Sequence, residues 1–288
     1  MGAAPVDPES PNSPSPAPIS RRRFLGIDEG RARLSLYDTG SGEPLWSLGL
    51  EDYPLCRDLQ RIGDDLALVG FDRGFFELEI SSGRITRLHA PWKDVTAAYR
   101  QADGTTLVTG LGLDGKGGVT VLSLDRELRI GKVARREGDY VRLMRPTDSG
   151  SYLLCVNDHI LETTSDLIAI RELRAPGFLH AWKAQRLADG RTLVSAGYGA
   201  FMALFDPEGR LELSFGGKDE VPPEVAPNFY ATFQIAEDGR ILVANWEGHG
   251  PGNGDKGRQL LEFSPSGEFL GSWSDPERIS SLQGLLLL

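Results

Sequence analysis

Two cysteines in 288 residues are too few for a disulfide framework, and by themselves they do not make a zinc site. Cys56 and Cys155 each sit in an apolar run, "PLCRDL" and "SYLLCVND", as small buried hydrophobes do. No apolar run approaches the roughly 18 residues that a membrane-crossing helix requires. Basic residues are the minority, 31 Lys and Arg against 41 Asp and Glu, and they gather only in Arg21-Arg22-Arg23 and Arg135-Arg136. Without a basic stripe, neither nucleic acid nor an anionic membrane is an expected partner. A helical period of useful length is missing as well. What the chain does have is 40% hydrophobic residues, enough for a packed core, spread over a length that suits one large domain or two small ones.

The first 20 residues, "MGAAPVDPESPNSPSPAPIS", are rich in Pro, Ser and Ala without periodicity. They cannot bury enough surface to offset the entropy of ordering, so disorder is expected for 1–20 and a folded domain for 21–288. The following "SRRRFLG" imitates a twin-arginine export signal. Such a signal needs an apolar stretch directly after it, and "IDEGRARLSLYD" carries Asp28, Glu29, Arg31 and Arg33 instead. A cytoplasmic protein is expected, with export only if a leader has been removed.

The organising feature is a repeat. "QADGTTLVTG", "PTDSGSYLLCV", "LADGRTLVSAG" and "AEDGRILVANW" each place a glycine turn before a short apolar strand, and Gly104, Gly150, Gly190 and Gly239 recur about every 40–50 residues. A degenerate copy, "RIGDDLALVGF", lies upstream. Each unit continues to a second glycine turn, as in "FMALFDPEGRLELSF", and "RLELSF" alternates as a half-buried strand does. Units of four strands, A to D, at this spacing predict a β-propeller. Full units begin near Leu55, Val95, Tyr140, Trp182 and Phe229. Residues 22–50 supply strands B, C and D of one more, with no strand A before them. The terminal "SSLQGLLLL" is a strand A with nothing after it. The two ends therefore complete one blade: an all-β, six-bladed propeller of four-stranded antiparallel blades, closed by the C-terminal strand as strand A of the first blade. Closure removes the free sheet edges that invite aggregation.

In this architecture the D-to-A and B-to-C loops share one face, and the four histidines all fall in or beside them: His89 and His180 before A strands, His159 and His249 after B strands. Histidine is the side chain suited to proton transfer near neutral pH. The longest B-to-C loop, "NWEGHGPGNGDKG", offers Asn245, Trp246, Glu247 and His249; long ordered loops are often functional. "GFLHAW" adds His180 and Trp182, "SAGYGAF" adds Tyr198, "APNFYATFQ" adds Asn228, Phe229, Tyr230 and Gln234, and "CVNDHI" adds Asn157, Asp158 and His159. Gln185 and Gln283 would line the channel. Aromatic faces, amides and imidazoles with few paired charges suit a small polar, sugar-like ligand. "GLGLDGKGG" from Gly110 nearly matches a P-loop. Gly117 stands where Ser or Thr must be, and a strand follows instead of a helix, so nucleotide binding is not expected.

The segments "DGRILVANWEGHG", "QLLEFSPSGE" and "WSDPERISSLQGLLLL" resemble a group of bacterial propellers classed with PQQ-like and NHL-type repeats; the likeness covers about a third of the chain. The resemblance implies the propeller fold rather than a reaction. Quinoprotein dehydrogenases of that class are larger, eight-bladed and carry a tryptophan-docking repeat, features absent here, so PQQ is not an expected cofactor. Six-bladed gluconolactonase-like propellers hold a metal in the channel, which leaves a divalent metal open. Three readings follow: a top-face pocket for a small polar ligand; an acid–base enzyme (lyase, isomerase or hydrolase) in the same pocket, with His180, Tyr198 and His249 as proton-transfer groups and Glu247 orienting or binding metal; or a protein-interaction scaffold. Convergence of His180, Tyr198 and His249 on one cavity within hydrogen-bond reach would favour the enzyme, and outward splay over a flat face with exposed aromatics such as Trp92 would favour the scaffold.

Overall fold

The computed structural model describes residues 17–288; the expectation of disorder for residues 1–16 lies outside the described residues. Alternating apolar residues and glycine turns build six four-stranded antiparallel sheets around a central channel. The turn glycines Gly104, Gly150, Gly190 and Gly239 all take φ between 82° and 89°, a conformation that side chains with a Cβ rarely adopt. Only one short 3₁₀ turn, Pro223–Val225, interrupts the strands among the described residues.

Blade 1 consists of β1 (Arg23–Asp28), β2 (Arg33–Asp38) and β3 (Trp46–Gly49), with the C-terminal β24 (Leu282–Leu287) as its innermost strand. Blades 2 to 6 run from β4 (Asp58–Gly63) to β7 (Ile85–His89), β8 (Val95–Arg100) to β11 (Ile130–Arg136), β12 (Met144–Pro146) to β15 (Ala169–Leu173), β16 (Ala184–Arg186) to β19 (Leu211–Phe215), and β20 (Phe229–Ile235) to β23 (Phe269–Trp273). The C-terminal leucines thus close the ring. Leu285 pairs with Gly26, Leu286 with Leu25 and Leu287 with Phe24. Leu282, Leu285 and Leu286 are buried, while the final Leu288 lies exposed past the strand. At Gly284 an added Cβ would stand 2.6 Å from Ile27 Cδ1, so the closing strand approaches β1 only because glycine is there.

Polar contacts lock the seam. Buried Asp28 accepts hydrogen bonds from the backbone N–H groups of Ser280 and Ser281, both at 2.9 Å. The arginines of "SRRR" belong to the same seam: Arg21 pairs with Asp38 at 2.7 Å, and Arg22 with the buried Glu262 of blade 6 at 2.8 Å. Just before them, Pro18 bridges to Ser272 on the outer strand of blade 6. Between blades the inward faces interdigitate; Leu25, Leu34 and Leu36 meet Val69, Phe71 and Phe76 between blades 1 and 2, and the pattern recurs around the ring. Both cysteines are buried in these layers. Burial pushes the Cys155 thiol up to about 12 and Cys56 upward too, which keeps both protonated and unreactive.

Candidate functional site

Strand A of each blade descends the channel, and the residue at its upper end decides what the channel mouth looks like. Arg57, Arg142 and Trp182 occupy the same place in blades 2, 4 and 5. Each backbone N–H donates to a carbonyl at the end of its own strand B: Gly70 at 3.2 Å, Cys155 at 2.8 Å and Ser195 at 3.0 Å. Thr96 and Gln283 are the counterparts in blades 3 and 1; in blade 6 the register puts the small Ala231 there, and Phe229, level with His180, covers it from two residues higher. Arg57, Thr96, Arg142, Trp182, Gln283 and Phe229 line one cavity of about 370 Å³. Above them the rim is built from Glu29, Asp72, Asp94, His180, Tyr198, Trp246 and His249, together with Leu55, Val95 and Leu111.

The aromatic wall is continuous. Phe229 meets Trp182 (5.4 Å between ring centres), Tyr198 (4.7 Å) and Trp246 (5.5 Å), each edge-on. Such pairs contribute about 0.5–1.5 kcal/mol each beyond area burial and hold the wall rigid. Tyr198 is 44% exposed, so it presents a free face at the rim.

Both rim histidines have one ring nitrogen occupied. Tyr140 Oη lies 2.8 Å from His180 Nδ1, and the His180 backbone N–H donates to Asn157 Oδ1 at 3.2 Å. Partial burial, with Arg142 adding to it, holds the imidazole below its ordinary pKa and therefore neutral at pH 7. His180 also sits at φ 56°, the left-handed region that non-glycine residues avoid. His249 Nδ1 is 2.9 Å from Glu29 Oε1, while Glu29 Oε2 accepts the Trp246 indole N–H at 3.1 Å. Glu29 comes from blade 1, so this cluster spans the seam.

Of the residues expected at the site, His180, Tyr198, His249, Trp182, Trp246 and Gln283 line the cavity. The others stand elsewhere. Asn157 supports His180 from behind. His159 is flanked by Asp158 (2.7 Å) and Glu172 (3.6 Å) on blade 4. Tyr230 follows Phe229, and successive strand residues face opposite ways; it is buried between blades 5 and 6, its hydroxyl donating to the Gly216 carbonyl at 2.6 Å. Gln234 and Gln185 lie further down their strands and line the opposite mouth. Asn245 is fully buried and accepts the N–H groups of Asn228 (2.9 Å) and Phe229 (3.4 Å), fixing the crossover into blade 6. Glu247 borders a separate cleft with Lys218, Asn228 and Lys256. Both of its carboxylate oxygens lack hydrogen-bond partners, and burial raises its pKa to about 9. His89 packs against Phe75 and Trp92, away from the cavity.

Arg57, Arg142 and Glu29 were not singled out from the sequence. The signal for the arginines was present: aligned with "HAWKAQR", the stretches "LCRDLQR" and "YVRLMR" put Arg57 and Arg142 level with Trp182. Among the described residues no three of His, Cys, Asp and Glu come together as a metal cluster, and no helix is long and apolar enough to cross a membrane.

No protein-family model matches the chain, and no curated protein matches it. Solved structures do share the fold. A protein of unknown function from Bacteroides caccae is 18% identical with a TM-score of 0.78, covering 93% of this chain and 99% of that one. A streptogramin B lyase is 10% identical with a TM-score of 0.57, covering 92% and 85%. A catalytically inactive virginiamycin B lyase from Staphylococcus aureus, solved with quinupristin, is 12% identical with a TM-score of 0.56, covering 78% and 72%. At these identities the likeness is one of β-propeller fold.

Proposed function

We propose that the upper channel mouth binds a small polar ligand with a flat ring or sugar-like face. The observation that carries this reading is convergence: one side chain from the same place in five blades and Phe229 from the sixth, plus His180, Tyr198, Trp246 and His249, face a single concave cavity of ligand size. The edge-on wall leaves faces for stacking, and Gln283 and Thr96 offer hydrogen bonds. Fold alone would not decide between binding and other roles. The resemblance to PQQ-like and NHL-type repeats enters only as propeller architecture.

A second reading, acid–base catalysis on the bound ligand, is favoured by the two oriented histidines. With Nδ1 of each held by Tyr140 or Glu29, the remaining nitrogen is the one available for proton transfer. Neutral His180 would act as base, and His249 backed by Glu29 as acid, with Tyr198 as a further proton donor.

A thermal-shift screen of sugars, sugar acids, lactones and divalent metals tests both. A ligand-specific rise in Tm that Trp182→Ala loses supports the pocket. Turnover of that ligand, abolished in His180→Ala while binding persists, supports catalysis. A ligand whose effect survives Trp182→Ala binds elsewhere and overturns the reading.

A further inference from the structure

The cavity holds two guanidinium groups that the fold does not neutralise. Arg57 is only 9% exposed, yet among the described residues the one hydrogen bond its guanidinium makes is Nε to the Leu55 carbonyl at 3.1 Å. Arg142 lies over the Tyr140 ring at 4.3 Å and near Trp182 at 5.9 Å, with Nε buried and unpartnered. Neither arginine is in an ion pair among the described residues, in a protein where most buried charges are paired. Burial and the neighbouring Arg142 charge press the pKa of Arg57 down to about 10, with Asp72 opposing. A buried cation without a partner is an expensive arrangement unless something else supplies the negative charge.

The remaining charges at the cavity narrow that something. Glu29 is committed to Trp246 and His249, while Asp72 and Asp94 stand on the rim. Three carboxylates at the mouth repel a dianion more than a monoanion. The aromatic wall takes a ring beside the charge. Resting on the pocket reading above, we propose that the ligand is a monocarboxylate on a ring, its carboxylate held between Arg57 and Arg142 and its ring against Trp182 and Phe229.

Calorimetry at low salt with matched probes tests this: indole-3-acetate, phenylacetate and D-galacturonate against indole-3-acetamide, phenylacetamide and a methyl galactoside, with phenyl phosphate as the dianion. At least one acid is expected to bind about tenfold or more tightly than its neutral partner. Arg57→Met and Arg142→Gln should each remove that preference and leave neutral binding intact. Because an unpaired charge is deleted, Arg57→Met should also raise the Tm of the unliganded protein, by about 2–4 °C; a structural role for Arg57 would lower it. Acids and neutral partners binding alike, with Trp182→Ala weakening both, would overturn the charge assignment and leave the pocket standing. Phenyl phosphate binding more tightly than phenylacetate would overturn the monocarboxylate. Binding by none of the probes would overturn the pocket for ring-sized ligands together with this inference.

Discussion

The two mouths of one channel are built from the same six strands and treat their arginines differently. At the lower mouth Arg145 is paired with Asp58 through both guanidinium ends, the Nη1 contact at 3.1 Å; Arg186 pairs with Glu162 at 2.6 Å; and buried Lys183 donates to the Phe233 carbonyl at 2.6 Å. At the upper mouth Arg57, one residue above Asp58, has no ion-pair partner. Strain follows the same division. Leu55, Asp94 and His180 take φ of 54°, 59° and 56° at the upper rim, whereas none of the lower-mouth residues takes a positive φ. A fold that completes its own network at one end could have done so at the other. Buried arginine charge without a carboxylate, beside three left-handed residues, marks the upper mouth as the end that the proposed ligand would complete.

The sharpest way to break the comparison is to unpair the lower mouth. Arg145→Met leaves the buried Asp58 carboxylate with the Ala98 N–H at 3.2 Å but no paired cation, and should cost about 3–5 kcal/mol in urea unfolding. Replacing both, Asp58→Leu with Arg145→Met, should recover most of that loss. If the single change is silent, the lower charges are as unsupported as the upper ones and the contrast fails.

A buried acid gives the next effect. Glu247, with a folded pKa near 9, holds its proton where an unfolded chain would release it. The folded state then binds more protons than the unfolded state between about pH 4.5 and 9, so this group makes stability fall as pH rises through that window. Glu247→Gln should therefore be nearly neutral below pH 4.5 and stabilising by about 3 kcal/mol at pH 7. Lys183 works the other way. Burial and the Arg145 charge bring its pKa down to about 7, so its contribution to stability rises with pH from about 7 toward 10.5, and Lys183→Met should flatten that rise. Denaturant titrations of both variants between pH 4 and pH 10 read the two slopes.

The sequence carried the fold because the fold is repetitive. A glycine turn before strand B, recurring four times and once in degenerate form, announces blades, and the missing strand A at one end matches the surplus leucine strand at the other. The site was legible only in part because it is assembled across blades. Trp182, His180, Tyr198 and Trp246 were visible as aromatic and imidazole groups in loops. Arg57 and Arg142 were hidden inside short apolar runs, where "PLCRDL" reads as core until strand A is aligned across all blades. Glu29 acts on His249 from 220 residues away, and no local spacing reveals such a pair. Tyr230 and Asn245 were misplaced by a single step of strand phase, which moves a side chain from channel to core.

The smallest expected effect sharpens the strain half of the comparison. His180 holds a left-handed backbone conformation that a Cβ opposes by roughly 1–2 kcal/mol. His180→Ala removes the Tyr140 hydrogen bond and keeps that strain; His180→Gly removes the same hydrogen bond and relieves it. The glycine variant should therefore be about 1 kcal/mol more stable than the alanine variant, while both lose any proton transfer that depends on the imidazole. Equal stabilities would mean that the rim backbone is relaxed. The histidine would then sit there for packing between Tyr140 and Tyr198, not because its ring is wanted at the cavity despite an unfavourable backbone.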